Sequence, residues 1–252
     1  MTKYQKFYNQ DFADALEACQ NAGNRALSMP EIADLKIKGD EWYSSVSLKV
    51  TGMTKQGIPI VLYVHVPNHY YSLPVNIRQA RPNLIDGAGI LPQPELEKLA
   101  DLSDKDGTNG VFRLDGLDYN ALKNSISGVI LVEHALKHPQ VIPFLGGRER
   151  AERYLDKHEK MVGKTIGVWH SDYLDEQPVA VARPLFVDYY DRLNAWGGFI
   201  DDGRFLGVSL NDAEGIAKKV PLTLEEILSA IPKDIPPSAL SDIMEKLKKL
   251  YN

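Results

Sequence analysis

Hydrophobic and polar positions alternate most cleanly in two neighbouring stretches. In Trp42–Val50, Trp42, Val46, Leu48 and Val50 share one face, and Tyr43, Ser45, Ser47 and Lys49 share the other. In Ile58–Val66 the apolar face carries Ile58, Ile60, Leu62, Val64 and Val66, and His65 points away from it. Alternation of this kind is the mark of a strand, and Gly52 and Gly57 bracket the connection. An antiparallel hairpin with one buried side is predicted.

Before the hairpin the period changes. Phe12, Leu16 and Cys19 fall on one stripe of a helix over 10–22, which Gly23 stops. A second helix opens at Ser28, where Ser28 and Glu31 form a capping box and Leu27 and Ile32 a hydrophobic staple. After the hairpin, residues 67–94 are proline-rich and without period, which reads as a long loop. Further helices are expected at 94–102, 118–125 and, as a polar helix, 148–161. The run from Ser127 to His138 has no breaker after Gly128, and its length favours a helix over a strand. Strands are expected at 111–115, Thr165–Trp169, Pro184–Val187 and Arg204–Ser209. A second capping box, Thr223 with Glu226, opens a helix to about 231. A Pro-rich hinge then leads to a closing amphipathic helix with Leu240, Ile243, Met244, Leu247 and Leu250 on one face.

A hairpin followed by strands mixed irregularly with helices predicts an α+β fold with a largely antiparallel sheet, long loops and a C-terminal helical segment. The expected organisation is one globular domain over 1–231, with the amphipathic helix of 232–252 appended after the hinge.

Composition narrows the setting. The 252 residues are 44% hydrophobic and 25% charged, ordinary for a globular chain, and the net charge of −5 gives no general attraction to nucleic acid or anionic membrane. Cys19 is the single cysteine, so no intrachain disulfide can form. With no apolar leader and no apolar run long enough for a bilayer, the expectation is a soluble, cytoplasmic protein. No Gly-rich nucleotide loop, nucleophile elbow, C-x-x-C or H-E-x-x-H occurs.

Four clusters could carry chemistry. His134 and His138 are four residues apart and would share a helix face. With His170 and Asp172 as further ligands, and His65 and His69 in reserve, they suit a divalent zinc, manganese or iron ion. The competing reading is a helix end, with His138 over its carbonyls. Asp104, Asp106, Thr108 and Asp115 echo a calcium loop, although Asn109 replaces its glycine and the short Asp115 its glutamate. A plain Asp/Gly turn accounts for the same residues. Gly146, Gly147 and Arg148 could hold an anion at a helix start, or simply form a permissive turn. Aromatic loops at Asn68–Ser72, Asp188–Asp191 and Trp196–Phe199 suit a ligand pocket or a partner surface, or cover a core.

Two functional classes follow. One is a non-catalytic binding or assembly protein, with a protein partner or a homo-oligomer as its company. The other is a metal-assisted hydrolase of a small anionic or phosphorylated substrate, with His134 and His138 as ligands and Asp172 as ligand or base. The first is preferred, because each catalytic cluster has a simpler structural explanation.

Overall fold

Asp11 both ends a strand and starts a helix: its Oδ1 accepts from the backbone N–H of Ala13 (3.0 Å) and Asp14 (3.3 Å). In the computed structural model, which describes residues 4–39, 43–171, 179–188 and 191–210, β1 (Tyr4–Asp11) therefore runs straight into α1 (Phe12–Asn21). The polar sequence of β1 carries no alternating signal. After β2 (Asn24–Ala26) the predicted capping box opens α2 (Met29–Ile37), with Glu31 Oε2 accepting from the Ser28 N–H and hydroxyl at 2.9 Å each.

The hairpin forms as β3 (Tyr43–Met53) and β4 (Pro59–Val64), paired antiparallel from Leu48↔Val64 to Met53↔Pro59. The long proline-rich stretch is structured: a 3-10 turn at Tyr70–Ser72, α3 (Pro74–Ala80), a second turn at Arg81–Asn83 and β5 (Gly89–Ile90). Each piece is too short to set up a period. Then come α4 (Gln93–Leu102), β6 (Val111–Asp115), α5 (Gly116–Lys123), β7 (Gly128–Leu131), α6 (Val132–Ala135), α7 (Val141–Leu145) and α8 (Arg148–Met161). The last strands are β8 (Thr165–His170), β9 (Val181–Val187), β10 (Leu193–Ala195) and β11 (Asp202–Ser209).

The main sheet has the order β6-β4-β3-β9-β10-β8-β7, with β5 paired to β9. All its pairings are antiparallel except β10 with β8. A three-stranded antiparallel sheet, β1-β11-β2, joins the first and last of these strands. The fold is α+β, as the pattern of elements predicts.

The expected half-exposed hairpin is instead covered on both faces. Ile60, Leu62 and Val64 pack with Phe12, Leu16 and Leu96, whereas Val61 and Tyr63 pack with Ile32, Phe144 and Leu155. The polar face of β3 is thereby buried, and Ser45, Ser47 and Lys49 on it are hydrogen-bonded within the protein. Ser47 Oγ accepts from the Met29 N–H (2.8 Å) and contacts His65 Nδ1 (2.9 Å). Since His65 Nε2 must donate to the Pro143 carbonyl (2.7 Å), Nδ1 accepts from Ser47.

The 127–138 region corrects another expectation. Its four-residue strand pairs with β8, and only one helical turn follows, because Val132 N–H bonds to the Lys164 carbonyl beside β8. The chain divides into units Met1–Leu210 and Asn211–Asn252, and all described residues belong to the first. The Thr223/Glu226 box, the hinge and the closing helix lie outside the described residues. Among the described residues no helix is long and apolar enough to cross a membrane.

Candidate functional site

With the 127–138 helix replaced by a strand and a single turn, His134 and His138 do not share a helix face. The helical turn ends at Ala135. His134 stands in solvent at 60% side-chain exposure, 3.7 Å from Glu133. His138 and His170 are buried with ring centroids 5.5 Å apart, and both are hydrogen-bonded. His138 Nε2 donates to the Ile126 carbonyl (3.0 Å) and its Nδ1 accepts from the Gln140 N–H (3.2 Å). His170 Nε2 meets Ser125 Oγ at 3.0 Å. Burial, with Lys49 and His138 nearby, holds the His170 imidazole down at about 3. This pair ties the 125–127 turn to β8. His65 and His69 are likewise buried, and desolvation holds each at about 4. Asp172 lies outside the described residues, and among the described residues no three His, Cys, Asp or Glu side chains gather around one point.

The Asp104 carboxylate is turned onto its own loop, accepting from the N–H groups of Asp106 (2.8 Å) and Thr108 (3.1 and 3.2 Å). Those bonds, Thr108 foremost, lower its pKa. Asp115, at the other end of β6, takes the Arg113 Nε at 2.7 Å. The segment therefore works as an Asx turn into β6.

Gly146 is the left-handed cap of α7 (φ 75°), and its N–H bonds to Pro143, while that of Gly147 bonds to Ile142. Arg148 is exposed at the start of α8. The glycine is required here: a Cβ at Gly146 would lie 2.3 Å from Pro30 Cγ. Gly146→Ala is expected to cost about 2 kcal/mol or more, from strained φ and overpacking together. Urea unfolding checks this, and a loss below about 0.5 kcal/mol would contradict it.

The aromatic loops lead to a different place. Across β10, Leu193 and Ala195 are fully buried, so the alternate positions Arg192, Asn194 and Trp196 turn outward. Asn194 pairs with Trp169 of β8, whose neighbours Val168 and His170 are buried. Trp169, Asp188, Arg192, Asn194 and Trp196 thus line one open groove of about 250 Å³. Arg192 is the hinge of its polar side: its Nε donates to Asp188 Oδ2 (2.6 Å), and its guanidinium lies 5.9 Å from the Trp169 ring. The indole N–H of Trp169 has no hydrogen-bond partner among the described residues. Trp196 is 51% exposed, and its N–H donates to Asn194 Oδ1 (2.8 Å).

The backbone at Trp196 is held by a buried arginine. Arg183, fully buried, donates to the carbonyls of Asp86 (2.6 Å), Trp196 and Gly197 (3.4 Å each), and Phe199 N–H bonds to Gly87. Two segments distant in sequence, 86–87 and 196–199, are so fastened to each other.

Comparison of this architecture with known proteins gives one informative match. A solved structure from Nanoarchaeota, described as accommodation of massive sequence variation by the C-type lectin fold, is 45% identical to this chain with a TM-score of 0.74. The match covers 82% of this chain and 98% of the other. The chain belongs to the C-type lectin fold family. No family model matches it, and no characterised protein does at significant similarity. Within the C-type lectin fold of this chain, the groove lies where β8, β9 and β10 meet. Sequence reading singled out Asp188 and Trp196 there but missed Trp169, Arg192 and Asn194. Alternation past Ile166 and Val168 is the signal that puts Trp169 outside.

Proposed function

We propose that this chain is a non-catalytic binding protein that recognises the surface of a protein partner through the Trp169–Trp196 groove. The observation that carries the reading is the division of labour in 192–196: Leu193 and Ala195 are buried, while Arg192, Asn194 and Trp196 face outward. Exposed Trp and Arg are the side chains that dominate protein interfaces, with Asn as an adaptable partner. A relative whose C-type lectin fold accommodates massive sequence variation supports it further. On such a strand, outward residues can change without touching the core, so specificity can be rewritten while the fold stays.

The alternative of a metal-assisted hydrolase draws no support from the geometry, because His134 is in solvent and His138 and His170 are consumed by hydrogen bonds.

Two measurements test the proposal. Trp196→Ala and Asn194→Tyr are expected to change stability by no more than about 0.5 kcal/mol, whereas Leu193→Ala costs about 2–5 kcal/mol. Equal losses would contradict the division of labour. A photocrosslinker at Asn194 should capture, from extract of the source cells, a protein that is lost in Trp196→Ala. One at the exposed Lys98 should not capture it; identical captures from both positions would end the reading.

A further inference from the structure

The two edges of the main sheet are finished differently. The outer side of β6 is shielded by Asp104, whose N–H donates to the Val111 carbonyl (3.2 Å) and whose carbonyl accepts from the Arg113 N–H (2.8 Å). At the other edge, β7 has β8 alone as a ladder partner among the described residues. The Val132 N–H bonds to the Lys164 carbonyl, one step beyond the pair Leu131↔Thr165. In an antiparallel ladder Ile130 and Gly128 therefore also turn their backbone groups towards β8. Alternation then aims the N–H and C=O groups of Val129 and Leu131 away from β8, at the open edge. These two residues are 61% and 45% exposed, whereas Ile130 packs on the core.

Proteins usually blunt such an edge with lysine, proline or a bulge. The sequence of β7, Gly-Val-Ile-Leu, has no charge and no proline, and its register with β8 is unbroken. A strand that fits beside it must be short, uncharged and aliphatic at alternate positions. β7 is itself such a strand. Turned about a two-fold axis at Ile130, it runs antiparallel to its own copy, with Val129 opposite Leu131 of the second copy. Leu131 then lies opposite Val129 of the second copy, and the outward backbone groups of both chains close four N–H···O bonds. No like charges are brought together, and each exposed aliphatic side chain gains an aliphatic neighbour across the ladder. The strand gives way to α6 at Val132, which limits the ladder to these bonds. A contact so short belongs with the weak interfaces, below about 1,200 Å².

We propose that this chain forms a weak two-fold dimer in which β7 pairs antiparallel with β7 of a second copy. The contact is separate from the Trp169–Trp196 groove and does not depend on that groove's role. It would join the two main sheets into one. Val129 pairs with Gly167 of β8, and Trp169, two residues on, pairs with Asn194, so all four share a face. Both grooves then lie on the same face of the joined sheet, their β10 strands about 24 Å apart along it.

The test is sedimentation equilibrium of the whole chain from about 1 µM to about 1 mM, with amide hydrogen exchange at both ends of that range. Half of the protein should be dimeric at about 10–100 µM, as expected of a small interface. The Val129 and Leu131 amides should exchange fast when dilute and slowly when concentrated, while the Ile130 amide, bonded to β8, is protected throughout. Two variants separate the edge from the fold. Val129→Lys puts a charge on an exposed position, and Val129→Pro removes an outward donor without removing a bond to β8. Each should weaken the dimer at least about tenfold, and Trp196→Ala in the groove should not alter it. A single-chain mass up to about 1 mM would overturn the proposal and leave the edge to a different protein. So would a dimer undiminished in both Val129 variants, which would place the contact elsewhere. Exchange at Val129 and Leu131 that does not change with concentration would overturn it as well. Loss of the dimer in Trp196→Ala would overturn the separation of edge and groove.

Discussion

Lowering the pH from 7.5 to 5 is expected to remove about 6 kcal/mol of folding free energy, with His65, His69 and His170 contributing about 2 kcal/mol each. All three rings are buried and neutral, held at about 4, 4 and 3 against 6.5 in the open chain, with desolvation as the leading cause. Between pH 6.5 and those values the unfolded chain binds more protons than the folded one. Stability is therefore complete above 6.5 and is lost as the pH falls towards 4. His138, lowered for the same reason, acts in the same direction. The depressed carboxylates work in a lower window: Glu31, held down against its own burial by Arg25 and Ser28, begins to lose its contribution only near 4.5. Domain stabilities of about 5–15 kcal/mol make the histidine effect a large share of the total. Urea unfolding at pH 7.5, 6 and 5 measures it, and a midpoint constant down to pH 5 would contradict it. His65→Gln should flatten the curve as well as lower it, because the variant loses one titrating group.

The second large effect is expected from Phe12→Ala, at about 3–5 kcal/mol. Phe12 is 2% exposed and meets three phenylalanine rings edge to face: Phe205 at 4.9 Å, Phe199 at 5.5 Å and Phe186 at 6.0 Å. These rings come from α1, β9, β11 and the segment after Trp196, so one side chain fastens the small sheet to the large one. Edge-to-face pairs add about 0.5–1.5 kcal/mol beyond buried area, and the rings around the vacated volume cannot follow it inward together. A loss below about 1 kcal/mol in urea unfolding would show that the cluster collapses freely. Gly197 leans on the same group, since a Cβ there would lie 2.1 Å from the Phe186 ring. Damage to the cluster should therefore also disturb the position of Trp196.

What the sequence made legible were features written within a few residues. The Ser28/Glu31 box and the β3–β4 hairpin form as read, since each depends on neighbours in the chain. Features that depend on distant partners were not legible. Val129–Leu131 become a strand because β8 offers them a ladder, and β10 is three residues long, held between β9 and a parallel β8. The second covered face of the hairpin was hidden for the same reason: α2, α7 and α8 supply the apolar atoms that lie over Val61 and Tyr63. At the groove, the aromatic residues drew attention, but the meeting of Trp169 with Asn194 rests on a pairing that no local pattern announces.

The pairing of β1 with β11 has a consequence for how the protein is made. Tyr4 finds its partner only at Val208, and Phe12 finds one of its rings only at Phe205. At about 5–20 residues per second, a ribosome takes roughly 10–40 s to supply them. Throughout that interval the opening strand has no ladder and α1 lacks part of its cover. Contacts of such separation also place the chain among slow folders. The nascent protein thus has a vulnerable period set by translation speed, during which chaperones have most to protect.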